Sequence, residues 1–238
     1  MLSVARNGDH MKTRREMMGL LIAGGAVVLL AGCGGRVSTL RYRVTVEVVT
    51  PSGVKTGSSI LEDVFNAGNS YGFSGSRRTY GESPIVDLGG GRYLFVLLYD
   101  PTYQRSMQNM ISRMFDYKDY PRPIKSIKLA DRFAEANNSK PLIIIKPEDY
   151  PMLVTFGDIN DPKSVREVSS DIVRRMTVQV VSQDDPITEG IEEKLNWLNK
   201  HPESRLEARP VTIPPQNVGE GNLSQQLTHG SFIYKGAE

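Results

Sequence analysis

The sequence predicts an α+β domain, a largely antiparallel sheet built from hairpins with a few packed helices. Three observations carry that prediction. Leu40 to Thr50 (LRYRVTVEVVT) alternates strictly, with Tyr42, Val44, Val46 and Val48 on one side and Arg41, Arg43, Thr45 and Glu47 on the other. Short turn signals, Pro51-Ser52-Gly53 and Gly89-Gly90-Gly91, join neighbouring runs closely enough for hairpins, which force antiparallel pairing. Helical periodicity is confined to a few short stretches, so helices accompany the sheet and do not form the body.

Taken in order, Lys55 to Phe65 is the expected hairpin partner of the first strand. Asn66 to Gly81 has four glycines, three serines and no apolar period, which predicts a loop. Ile85 to Leu88 and Arg92 to Tyr99 form a second predicted hairpin, and Tyr93 to Leu98 is apolar on both faces, as a doubly covered strand would be. Asp100-Pro101 reads as a helix start, with Tyr103, Met107, Met110, Ile111, Met114 and Phe115 on one stripe. Tyr120 to Pro123 ends that helix, and Ala130 to Ala136 is a further one or two turns. Pro141 to Ile145 (PLIII) and Met152 to Phe156 are predicted buried strands. Gly157 to Pro162 is a polar loop, Ser164 to Val168 a short extended piece, and Ile172 to Ser182 a long alternating strand. Ile191, Leu195 and Leu198 make one face of a helix over Ile191 to Lys200. The chain beyond His201 is rich in proline, glycine and glutamine, which predicts an extended, partly ordered tail with Phe232 to Tyr234 docking on the body.

The first 33 residues carry a different message. Lys12, Arg14 and Arg15 precede an apolar run, Gly19 to Leu30, and Leu30-Ala31-Gly32-Cys33 closes it around the only cysteine of the chain. A membrane-spanning helix needs about 20 apolar residues, more than this run supplies. Gly24 and Gly25 would each cost about 1 kcal/mol in a helix interior. The motif resembles a bacterial lipobox, which implies cleavage before Cys33 and lipidation of its thiol. On that reading residues 1–32 are a signal peptide, 33–38 a short tether, 39–200 the α+β domain and 201–238 the tail. Met11 followed by Lys12 is an alternative start, and Thr13 to Met18 partly resembles a twin-arginine export signal.

Removing residues 1–32 leaves 25 basic and 25 acidic residues. A neutral body lacks the basic footprint that nucleic acid requires. With Cys33 consumed, no thiol remains for a disulfide, a zinc thiolate site or a cysteine nucleophile, and no metal or other cofactor is expected.

The candidate chemistry is sparse. Glu148, Asp149, Asp158, Asp161, Asp184 and Asp185 are acidic residues whose pairs could act together on a glycoside, but each sits in a turn context that favours acidic side chains for local reasons. Asp158-Ile159-Asn160-Asp161 lacks the glycine and distal glutamate of a calcium loop. Gly72-Phe73-Ser74-Gly75-Ser76 has serine where a nucleophile elbow needs its second glycine. The segment with Tyr71, Phe73, Arg77, Arg78 and Tyr80 combines aromatic and basic groups and is the candidate binding loop.

Arg43 to Val48 (RVTVEV) with Thr50 to Ser59 (TPSGVKTGSS), and the later stretches Leu153 to Val168 and Ile187 to Leu198, resemble a proteobacterial protein family of unknown function. The resemblance implies a shared fold and assigns no catalytic residue. The expected function is therefore a membrane-anchored envelope lipoprotein that binds or supports, its partner an envelope protein or the cell wall. Gly34 follows the lipidated cysteine where an inner-membrane retention signal would place aspartate, so the expected site is the outer membrane, facing the periplasm. The alternative is a carboxylate-dependent hydrolase acting on envelope glycans.

Overall fold

The strict alternation after Val37 builds the main sheet. In the computed structural model, which describes residues 37–66, 76–102, 105–116, 126–200, 205–207 and 222–236, β1 (Val37–Thr50) and β2 (Gly53–Asn66) pair antiparallel from Val37 opposite Asn66 to Thr50 opposite Gly53. Leu40, Tyr42, Val44, Val46 and Val48 are fully buried. The residues between them face the other way, as the period of two requires. Gly53 closes the turn at φ 110°, where an L side chain would be strained.

The remaining elements are β3 (Ser76–Glu82), β4 (Ile85–Gly89), β5 (Arg92–Val96), β6 (Tyr99–Asp100), β7 (Arg105–Ser106), α1 (Met107–Asp116) and α2 (Ser126–Ser139). They continue with β8 (Leu142–Ile144), β9 (Leu153–Phe156), β10 (Val165–Val168), β11 (Val173–Val180), α3 (Ile191–Lys194), α4 (Leu223–Gln226) and β12 (Ile233–Lys235). A six-stranded sheet runs β12-β3-β2-β1-β11-β8, a four-stranded sheet runs β10-β9-β5-β4, and β6 pairs with β7 alone. All the pairings are antiparallel, so the α+β expectation holds.

Two cores follow from one strand. Leu94 and Val96 of β5 join Val44, Val46, Met176 and Val178 of the main sheet, with Met107, Met110 and Ile111 of α1 and Phe133 of α2, in the larger core. Phe95 and the following Leu97 face the opposite way and pack with Val154, Phe156, Leu195, Trp197, Leu198, Leu227 and Phe232. Phe95 meets Phe156 edge to face at 5.6 Å, and Phe156 meets Trp197 at 5.4 Å.

Five expectations are corrected. Asn66 to Gly81 is not all loop: Ser76–Glu82 is strand β3, whose polar inward residues find partners on β2 and α1. Asp100 does not start the helix, because its carboxylate accepts the Thr102 amide at 2.9 Å in a turn, and the β6–β7 ribbon intervenes before α1 begins at Met107. The helix around Ala130 is longer than one or two turns, spanning Ser126–Ser139. β8 is an edge strand with Leu142 and Ile144 exposed, so only the end of PLIII, at Ile145, is fully buried. Ile191 to Lys200 is one α-helical turn followed by a 3₁₀ turn, although Ile191, Leu195 and Leu198 are buried together. Residues 222–236 form α4, a 3₁₀ turn and β12, with Phe232 fully buried and Tyr234 pairing opposite Gly81 of β3.

Gly57 marks a close approach of the two sheets. A Cβ there would fall well inside van der Waals contact of the Ile85 carbonyl, which is backbone and cannot turn aside. Gly57→Ala is expected to cost about 3 kcal/mol by overpacking, read as a lowered urea midpoint with an unchanged slope.

Candidate functional site

Strand β3 alternates two kinds of polar residue, and each kind builds one constellation. Arg77 and Thr79 point inward. The Arg77 guanidinium pairs with the Asp63 carboxylate of β2 and donates to Ser112 Oγ of α1. Thr79 Oγ1 donates to Asp63 Oδ1 at 2.6 Å and accepts from Gln108 Nε2 at 2.8 Å. The guanidinium also lies 5.9 Å from the ring centroid of Phe133 on α2. Asp63 is fully buried. Burial pushes its carboxyl up, and Arg77 and Thr79 oppose that push. The Tyr42 hydroxyl faces this carboxylate without closing an ordinary hydrogen bond, and burial followed by the Asp63 charge raises its pKa well above normal. Tyr234 Oη donates to the Leu98 carbonyl at 2.8 Å. With no solvent access, Asp63 acts as a pin joining β2, β3 and α1.

Glu82, on the alternate set of β3, faces a groove of about 600 Å³. Its walls are Tyr80 to Glu82 of β3, Ile233 to Lys235 of β12, and the segment from Ile187 to Glu193. Glu82 accepts the Ile191 amide at 2.7 Å and so holds the start of α3 against β3. Burial raises its pKa, while the amides of Ile191 and Gly190 lower it. Lys235 Nζ stands 3.0 Å from Glu192 Oε1, and His229 Nε2 stands 3.8 Å from the same oxygen. Burial alone would raise Glu192, but Lys235 and Asn199 outweigh it and hold the carboxyl low. Glu189 and Glu193 are exposed at the rim. Four carboxylates, Glu82, Glu189, Glu192 and Glu193, and one lysine, Lys235, line the groove.

The sequence-predicted residues distribute unevenly over these features. Cys33, Tyr71 and Phe73 lie outside the described residues. Arg77 is in the buried pin, Arg78 is exposed on the opposite face of β3, and Tyr80 lines the groove, so these three do not form a loop. Among the acidic residues, Asp158 and Asp161 accept the backbone amides of Asn160 and Lys163 in exposed turns. Asp184 is exposed beside Ser182, and Asp149 stands 3.8 Å from Arg113. Glu148 lines a small cleft of about 140 Å³ with Arg105 and Glu167. Asp158, Asp161 and Asp184 are thus each held by partners within their own turns. Sequence reasoning missed Glu82, Glu192, Glu193 and Lys235. The run Glu189-Gly190-Ile191-Glu192-Glu193 was the available signal, since acidic residues crowd a glycine at a helix start.

Among the described residues no group of three or more His, Asp or Glu is placed to hold a metal ion, and no helix is long and apolar enough to cross a membrane. Compared with protein-family profiles, with curated proteins and with solved structures, the chain matches none of them.

Two outcomes follow. Asp63→Ala leaves the Arg77 charge buried without its partner and is expected to cost about 3–5 kcal/mol. Replacing both residues with apolar ones, Asp63→Val with Arg77→Met, is expected to recover most of that loss in urea unfolding. His229 is held below its ordinary 6.5 by burial first and by Lys235 next, with Glu192 partly offsetting them. The unfolded chain therefore takes up the proton more readily, so stability is full above about pH 6.5 and falls as pH drops below it. His229→Gln is expected to flatten the fall in urea midpoint between pH 7.5 and 5.5.

Proposed function

We propose that the protein is an envelope lipoprotein, anchored by a lipidated Cys33 at the outer membrane and facing the periplasm, whose folded domain is a binding module. The anchor is supported by the basic residues Lys12, Arg14 and Arg15, the short apolar run and the Leu30 to Cys33 motif. The neutral body gives no support to nucleic acid as its partner.

The groove carries the binding reading. Its size suits a few side chains of a partner, and its carboxylates outnumber its single lysine by four to one. Tyr80 adds an aromatic wall, against which a cationic side chain gains further attraction. A lysine- or arginine-bearing segment of an envelope protein fits that chemistry. Hydrolysis is less well supported, because the six acidic residues that would serve it are largely engaged in turns or surface ion pairs.

The test uses the full chain in detergent. An oligolysine peptide is expected to bind with an affinity that falls steeply with salt, and Glu189→Gln with Glu193→Gln to weaken it at least tenfold. An isotherm unchanged by that pair would remove the groove from the proposal. The anchor is tested apart from it: Cys33→Ser is expected to shift the protein from the membrane to the soluble fraction on density-gradient fractionation, and full retention with membranes would overturn it.

A further inference from the structure

His229 opens the short 3₁₀ turn His229–Ser231 that leads into β12, one wall of the groove. The residue is 6% exposed, and its Nε2 is buried without a hydrogen-bond partner. A polar atom left unsatisfied inside a protein is costly, and protonation would make this nitrogen a charged donor. The backbone that carries the ring is fixed on both sides. Ser231 N donates to Thr228 O at 3.0 Å and Phe232 N to His229 O at 2.9 Å, while the carbonyls of Ser231 and Phe232 accept the amides of Leu98 and Ser83, each at 2.8 Å. Ser231 and Phe232 are themselves fully buried. A proton taken up at Nε2 must therefore be answered where the ring stands.

Glu192 is the group that answers it. Its Oε1 lies 3.8 Å from His229 Nε2 and 3.0 Å from Lys235 Nζ, so one carboxylate of the groove wall faces a permanent cation and a conditional one. The remaining polar groups on the neighbouring elements are directed elsewhere. On β6, Asp100 accepts the Thr102 amide at 2.9 Å and Tyr99 is exposed. On β12, Tyr234 Oη donates to the Leu98 carbonyl at 2.8 Å. Arg205, bridged to Thr228, sends its guanidinium to the Gln225 carbonyl at 2.6 Å.

We propose that the groove is under proton control: His229, once protonated, pairs with Glu192 and sets a second cation at the groove wall, so the groove holds a cationic guest while His229 is neutral and releases it when His229 is charged. The inference rests on the reading of the groove as a site for a cationic segment. Two effects act in the same direction. The new charge repels the guest, and Glu192 is drawn into a pair within the protein. Burial first and Lys235 next hold the imidazole below its ordinary 6.5, against the pull of Glu192, so release lies on the acid side of that value. Coupling of this kind is reciprocal, and a bound cation must in turn make His229 harder to protonate.

The experiment measures oligolysine binding to the full chain in detergent at pH 7.5 and 5.5 and one ionic strength. Affinity is expected to fall about fivefold at the lower pH, and that fall to shrink below about twofold in His229→Gln. Glu82, whose carboxyl is raised by burial, titrates in both proteins and cancels from the comparison. The second measurement needs no variant: by NMR, His229 of the wild-type chain is expected to titrate about 0.7 pH unit lower with the peptide bound, the same fivefold read from the proton's side. An equal fall in His229→Gln, or a His229 titration that the peptide does not move, would overturn the proposal and leave the groove as a binding site. Absence of binding at both pH values would overturn the two together.

Discussion

Strand β5 has no polar face, and the arrangement of the whole domain answers that constraint. Leu94 and Val96 look one way and Phe95 and Leu97 the other, all with almost no exposure. Each such side chain loses about 1.5–3 kcal/mol if left in water, so both faces of the four-stranded sheet must be covered. The main sheet and its helices cover one. The other is covered by chain from far along the sequence, with Phe232 meeting Phe95 at 6.0 Å and Trp197 at 6.5 Å. A single unalternated strand therefore accounts for two cores.

The strand next to β2 divides its work in a comparable way. On β3, Arg77 and Thr79 are directed to the interior, where they hold Asp63. Tyr80 and Glu82 are directed to the groove, where they meet β12 and the start of α3. The pin and the groove are thus coupled through one backbone. Burying a charged pair is seldom a net gain in stability against apolar residues of equal volume, but it fixes which residue of β3 lies opposite which residue of β2. A slip of one place would turn Arg78 inward and Arg77 out to solvent.

Much of the architecture was legible in the sequence because it rests on period and turn chemistry. β1 was plain from Tyr42, Val44, Val46 and Val48, and β5 from its unbroken apolar run. β3 was hidden because SRRTYGE has no apolar alternation, and its inward residues are satisfied by a carboxylate fourteen positions before Arg77 and sixteen before Thr79, a relation no local pattern displays. β8 was misjudged because an apolar run alone does not distinguish a central strand from an edge. Asp100 had the signature of a helix cap and used it on the Thr102 turn. The groove was the least legible feature, since Glu82, Glu192 and Lys235 meet only after β12 returns to β3.

That return also sets a clock. Ile233 pairs with Glu82, some 150 residues later in the chain, so the sheet cannot close and Phe95 cannot be covered until the distant segment has emerged. At about 5–20 residues per second of synthesis, the interval is on the order of ten to thirty seconds. Through it, the β3 edge and one face of β5 stand open to chaperones and proteases.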